Sequence, residues 1–153
     1  MAIQNIFVVG AGLMGSGIAQ NAITSGFDVT LNDKQQAAVE RAQVVIKKAL
    51  AREVSKGRMT QEAMDEALTH LTVDSGMEGA KKADLVIEAI YENLEAKQAV
   101  FTELEDLCPA KTIFASNTSS ISLTALAAAT KRPSRVVGMH FFSPVPKMKL
   151  CEV

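Results

Sequence analysis

Residues Val8–Gln20 read VVGAGLMGSGIAQ. Four glycines, Gly10, Gly12, Gly15 and Gly17, fall within eight residues of an otherwise apolar stretch. Glycine costs a helix about 1 kcal/mol relative to alanine, so a requirement for bare backbone must offset that loss. The preceding run, Ile3–Val9, is short, apolar and ends in glycine, the pattern of a buried strand. Leu13–Ser25 reads as a helix, and Gly26 follows where helices commonly end in a left-handed residue. In a strand–loop–helix setting the spacing Gly10-x-Gly12-x-x-Gly15 has a mechanism. The first glycine permits a tight turn, the second lets a diphosphate approach the backbone, and the third lets helix and strand pack closely. Free N–H groups and the positive end of the helix dipole then hold the phosphates without a basic side chain.

Working outward, Phe27–Leu31 reads as a second strand closed by Asn32 and Asp33. Asp33 lies 18 residues beyond Gly15. A carboxylate there accepts hydrogen bonds from both hydroxyls of an adenosine ribose and repels a 2′-phosphate, which selects NAD over NADP. The adjacent Lys34 works slightly against that selection, and the alternative is a structural glycine turn beside a solvated aspartate. Gln35 to about Val54 predicts a long amphipathic helix. Thr60 caps another helix, which carries Ala63, Met64, Ala67 and Leu68 on one face. Leu71–Val73, ADLVIEAI, TIFAS and RVVGMHFF read as strands, Asn93–Leu107 and Ser122–Thr130 as helices, and KMKLCEV as a last strand-like piece. This alternation predicts an α/β fold: one domain over residues 1–153 with a Rossmann-type, doubly wound, mostly parallel sheet. Ligands of such folds sit at the carboxyl ends of the strands.

The bulk properties bound the partners. The chain has 153 residues, 48% hydrophobic and 22% charged, with a net charge of −1. The pI near 6.1 argues against nucleic acid or an anionic membrane surface as partner. No apolar run is long enough to span a bilayer, and the N-terminus reads as a first strand rather than a signal peptide. Cys108 and Cys151 match no metal-ligand spacing and fit inert thiols in a reducing, cytoplasmic compartment.

A nicotinamide cofactor calls for a group to handle the proton that accompanies the hydride. Of the two histidines, His70 sits among polar neighbours near a helix end and reads as a surface or capping residue. His140 closes the strand RVVGM and precedes FFSPVP, whose prolines forbid a helix. Imidazole titrates near neutrality, so it can take a proton from an alcohol and return it to a ketone. Glu152 becomes its acidic partner if the intervening segment turns back. Composition alone favours reading His140 as a satisfied core histidine. Residues 116–120, SNTSS, end another strand. Ser120 or Ser122 suits the N-cap of the next helix, while Asn117 and Ser119 face the cleft.

Together GAGLMGSGIAQ, DLVIEAIYENLEAK, ASNTSS and GMHFFSPVPKMKLCEV resemble the 3-hydroxyacyl-CoA dehydrogenase family, including the bacterial 3-hydroxybutyryl-CoA dehydrogenases, across essentially the whole chain. The resemblance implies His140 as catalytic base, Glu152 as its partner and Ser119 as donor to the substrate's 3-oxygen. It implies Gly10, Gly12, Leu13, Met14, Gly15 and Asp33 as residues of the NAD site. Glu92, Lys97, Asn117, Ser119 and Ser143 would join them on the nicotinamide side. The basic set Lys47, Lys48, Arg52, Lys56 and Arg58 would meet the phosphates of CoA or form a solvated helix face. The implied reaction is reversible oxidation of a (3S)-3-hydroxyacyl-CoA to the 3-oxoacyl-CoA in fatty-acid or butanoate metabolism.

Two departures from the family pattern stand out. Ser143 occupies a position where the family usually has asparagine. The family also continues into a helical domain that walls the cleft and carries its main homo-oligomer contact, absent from these 153 residues, so NAD(H) binding with weak or absent turnover is expected. Two other functions fit the same scaffold: a non-catalytic NAD-binding or structural protein, and a dehydrogenase of free 3-hydroxy acids.

Overall fold

Alternate residues of the first strand face opposite ways, yet Ile6, Phe7, Val8 and Val9 are all buried. The sheet is therefore covered on both sides. The computed structural model describes residues 2–153 and shows how. Strands β1 (Asn5–Val9), β2 (Asp28–Asn32), β3 (Leu71–Asp74), β4 (Leu85–Glu88), β5 (Ile113–Ser116) and β6 (Val136–Gly138) form one parallel sheet in the order β3-β2-β1-β4-β5-β6. Helices α1 (Leu13–Thr24), α2 (Gln36–Ser55), α3 (Gln61–Thr69), α4 (Leu94–Leu107) and α5 (Leu123–Ala128) connect the strands. One face gathers Ile6, Val8, Ile18, Leu31, Val39, Ile46 and Leu50 beneath α1, α2 and α3. The other gathers Phe7, Val9, Val86, Phe101, Leu104, Phe114 and Leu126 beneath α4 and α5. The order reverses direction between β1 and β4, so a crevice opens at their carboxyl ends.

Local chemistry sets most element boundaries. Thr60 Oγ1 accepts from Ala63 N at 3.1 Å, Asn93 Oδ1 from Ala96 N at 2.8 Å, and Ser122 Oγ from Ala125 N at 3.3 Å. These side chains cap α3, α4 and α5. Gly26 ends α1 at φ +85°. Residues 78–82, unmarked in the sequence pattern, form a 3-10 turn that packs against Thr30.

The amino edge of the sheet is tied by one carboxylate. Asp84 Oδ2 accepts from Gln4 N at 3.1 Å, Asn5 N at 3.0 Å and Asn5 Nδ2 at 3.2 Å. Its Oδ1 pairs with Lys111 Nζ at 2.9 Å. The backbone bonds from Asn5, with those from Lys111, Gln4 and the Asn5 amide, hold the Asp84 carboxyl well below the usual aspartate range.

The expected strand RVVGMHFF divides. Met139 N reaches Ser116 O at 2.9 Å, the last bond to β5. The next strand, β7 (His140–Phe141), then pairs antiparallel with β8 (Cys151–Glu152), and His140 stands opposite Glu152. Two contacts redirect the chain: Asn117 Oδ1 accepts from Phe141 N at 2.9 Å, and buried Val145 packs against α1. A methyl at Gly17 would lie 2.9 Å from Val145 Cβ, and Asn21 Nδ2 donates to Val145 O at 3.1 Å. The last strand is accordingly shorter than KMKLCEV suggests. Among the described residues, no helix is long and apolar enough to cross a membrane.

Candidate functional site

The glycines of the loop between β1 and α1 divide by what they meet. Gly10 adopts φ +102°, a conformation disfavoured for any residue with a Cβ, and a Cβ there would lie 2.6 Å from Ala89 O. A Cβ on Gly15 would lie 1.7 Å from Gly10 O. These two glycines let the loop fold on itself and on β4. Gly12 differs: a Cβ there meets nothing within 4 Å. Its bareness serves no contact within the protein and leaves a cradle open to a ligand.

Gly12 is also the N-cap of α1, and no side chain caps that helix. Its first-turn N–H groups therefore remain available to an anion. Asp33 braces the cradle. Its Oδ2 accepts from Ala11 N at 3.0 Å and its Oδ1 from Gln35 N at 3.0 Å. A carboxylate has about four lone-pair sites, so both oxygens retain capacity for ribose hydroxyls. A cleft of about 510 Å³ opens here between Gly10, Gly12, Asp33, Lys34, Tyr91 and Ala96. Asn32 also lines it, and among the described residues its buried Oδ1 has no protein partner. The open cradle, the uncapped helix and the acidic rim fit the adenosine diphosphate half of NAD.

A second hollow of about 320 Å³ adjoins it around Met14, Ala89 and Ile90. Ala89 and Ile90 line both spaces. Here the structure brings together Met14, Glu92, Asn117, Ser119, His140 and Ser143, which are spread over the sequence from α1 to the β7 region. His140 Nδ1 lies 3.1 Å from Glu152 Oε2, a contact made by the β7–β8 register. Phe142 stacks at a tilt on the imidazole, with ring centroids 4.6 Å apart. The Glu92 carboxylate accepts a hydrogen bond from the Thr118 hydroxyl. Burial alone would raise the Glu92 carboxyl, but Thr118 and the charge of Lys97 outweigh it and hold it below the ordinary glutamate value.

Three expected site residues place no side chain in the lining of either hollow. Lys97 does not line the cleft. Its side chain is 1% exposed, and its Nζ lies 2.6 Å from Glu88 Oε1 and 3.6 Å from Glu92 Oε2. The buried Glu88 carboxylate holds the ammonium inside, with Glu92 between it and the hollow. Leu13 is 77% exposed at the start of α1 and joins neither hollow's lining. Lys56 follows the last turn of α2, apart from both. His70 ends α3 and pairs with Asp28 at 2.7 Å.

The structure adds Glu88, Ser116 and Thr118, which the sequence reading did not single out. Glu88 and Ser116 are wholly buried, and Ser116 Oγ donates to Glu88 Oε2 at 2.6 Å. The available signals were an acidic residue at the end of the apolar strand LVIE and, for Ser116 and Thr118, the polar run SNTSS that closes the next strand.

Residues 5–153 match the family described as "3-hydroxyacyl-CoA dehydrogenase, NAD binding domain". Over 153 residues the chain is 48% identical to a probable 3-hydroxybutyryl-CoA dehydrogenase of Bacillus subtilis (strain 168), covering 100% of this chain and 53% of that protein. It is 44% identical over 150 residues to the 3-hydroxybutyryl-CoA dehydrogenase of Clostridioides difficile, covering 98% and 53%. The chain thus spans about half the length of these curated relatives. The solved 3-hydroxybutyryl-CoA dehydrogenase of Escherichia coli K12 superposes with a TM-score of 0.96 at 43% identity, over 99% of this chain and 32% of that one. The glycine cradle, the strand order and these matches agree: the chain belongs to the 3-hydroxyacyl-CoA dehydrogenase family and constitutes its NAD-binding domain.

Proposed function

We propose that this domain serves an enzyme that reversibly oxidises a (3S)-3-hydroxyacyl-CoA to the 3-oxoacyl-CoA. The observation that carries the reading is the His140–Glu152 pair at 3.1 Å, with His140 facing a hollow shared with Ser119 and Asn117. Held by the glycine cradle, Asp33 and Glu92, NAD would supply the hydride acceptor for C3 of the substrate. The protein's task is the accompanying proton. With Nδ1–H donated to the Glu152 carboxylate, Nε2 of His140 is left as an acceptor. It takes the proton of the 3-hydroxyl as the C3–H bond breaks and the C3–O bond becomes a carbonyl. The Glu152 charge stabilises the imidazolium that results and fixes the ring's orientation. Ser119 donates to the 3-oxygen. Glu92, held ionised, accepts from hydroxyls of the nicotinamide-side ribose, and Asn117 braces the strand that carries His140 through its bond to Phe141 N. Ser143 presents a short hydroxyl where the family usually has an amide, so it reaches less far into the hollow.

The test is single-turnover oxidation of NADH by acetoacetyl-CoA on this domain joined to the remaining half of its Bacillus subtilis relative, with and without His140→Asn. Proton transfer by a positioned side chain contributes about 10²- to 10⁴-fold, so the variant's rate falls by that order. NADH affinity stays within about twofold, because His140 lies away from the glycine cradle. Equal rates in the two proteins would sink the assignment. Acetoacetate run beside acetoacetyl-CoA separates free acids from thioesters as substrates.

A further inference from the structure

Glu88 is the last residue of β4 and is wholly buried. Its Oε1 accepts from Lys97 Nζ at 2.6 Å and Ile90 N at 2.7 Å, and its Oε2 from Ser116 Oγ at 2.6 Å. Ser116 Oγ accepts in turn from Thr118 N at 3.2 Å. The Thr118 hydroxyl donates to Glu92 and accepts from Ile121 N at 2.9 Å. Glu92 lies 3.6 Å from Lys97, which returns to Glu88. These contacts close a ring: Glu88, Ser116, Thr118, Glu92, Lys97. It joins β4, the loop after β4, α4 and the loop after β5.

A buried ion pair contributes little net stability, since apolar replacements of similar volume are often neutral or better. The ring's output lies elsewhere. The groups that project from its two loops, Ile90, Glu92, Asn117 and Ser119, line the hollow with His140, and Glu88 itself does not reach it. We infer that Glu88 is a positioning residue for the nicotinamide half of the cofactor site, acting through Lys97 on Glu92 and through Ser116 on the 117–119 loop. This rests on the NAD-binding reading, with the adenosine diphosphate half held separately by Gly12 and Asp33.

The variant Glu88→Gln keeps the shape and removes the charge. Lys97 is then left with Glu92 as its neighbouring carboxylate and is drawn toward it, while Ser116 loses an ionised acceptor. Ser116→Ala keeps the ion pair and cuts the ring only at the loop, so it carries the test should Glu88→Gln fail to fold. Titrations with NADH and with ADP, followed by calorimetry, read the two halves apart. Loss of a charge-assisted hydrogen bond predicts about tenfold weaker NADH binding by Glu88→Gln and a smaller loss by Ser116→Ala, with ADP affinity within about twofold in both. Parallel losses for NADH and ADP would mark a merely structural residue and overturn the inference, as would unchanged NADH affinity in both variants. If the unsubstituted chain bound neither ligand, the NAD reading itself would fail, and this inference with it.

Discussion

Strand β4 has a buried carboxylate at each end, Asp84 just before it and Glu88 at its close. The two are chemically alike and four positions apart, yet their surroundings differ. Asp84 is held by backbone and amide groups at the start of β1 and by Lys111, groups that belong to the sheet itself. Glu88 is held by Ser116 and Lys97, whose further partners lie in the loops around the cleft. The hollow at the amino edge is no poorer in chemistry: about 310 Å³, with Asp28, His70 and Lys82 on its walls. It lacks the glycine loop and the uncapped helix, which lie at the other edge. Position along a parallel strand, more than side-chain type, separates a structural carboxylate from one that arranges a site.

Three substitutions sharpen this contrast, ordered by their effect on stability. Gly15→Ala has the largest. Its methyl would overlap a backbone carbonyl at 1.7 Å, which no side-chain motion relieves, so the loop must shift at a cost of about 3 kcal/mol or more. Chemical denaturation measures it, and a loss under about 0.5 kcal/mol would contradict the packing described.

Asp84→Asn comes next, costing about 2 kcal/mol while leaving NADH affinity unchanged. Its pH dependence is also fixed. The folded state lowers the Asp84 carboxyl below its ordinary value, so the stabilisation is complete above about pH 4 and is lost as pH falls toward the folded value. The stability gap between the protein and Asp84→Asn therefore narrows on acidification. A gap that widened, or an Asp84→Asn variant with impaired NADH binding, would break the division between the two edges.

The parts legible in the sequence are those whose meaning is local. The glycine loop, its flanking strand and helix, the Asp33 position and the Thr60 and Ser122 caps each depend on a few neighbouring residues. The His140–Glu152 contact is half legible: the residue types suit each other, but a separation of 12 residues closes only because Val145 packs on α1. Apart from Arg135 and His140, RVVGMHFF is apolar throughout, so no polar turn residue in it marks the change of partner from β5 to β8 at Met139. Lys97 reads as a solvated residue in the first turns of a helix, because the charge that buries it lies nine positions earlier, on a strand. Glu88 is one letter in an apolar run, and its burial is a property of the assembled sheet.

Gly12→Ala has the smallest expected effect on stability and tests the central claim most directly. Gly12 has φ −78°, and a methyl there meets no protein atom within 4 Å, so the fold should change by less than about 1 kcal/mol. Calorimetric titration with NADH should show binding by the unsubstituted chain and affinity reduced by at least about tenfold in Gly12→Ala, whose methyl stands where the diphosphate meets the backbone. Equal NADH affinity in the two folded proteins would contradict the account.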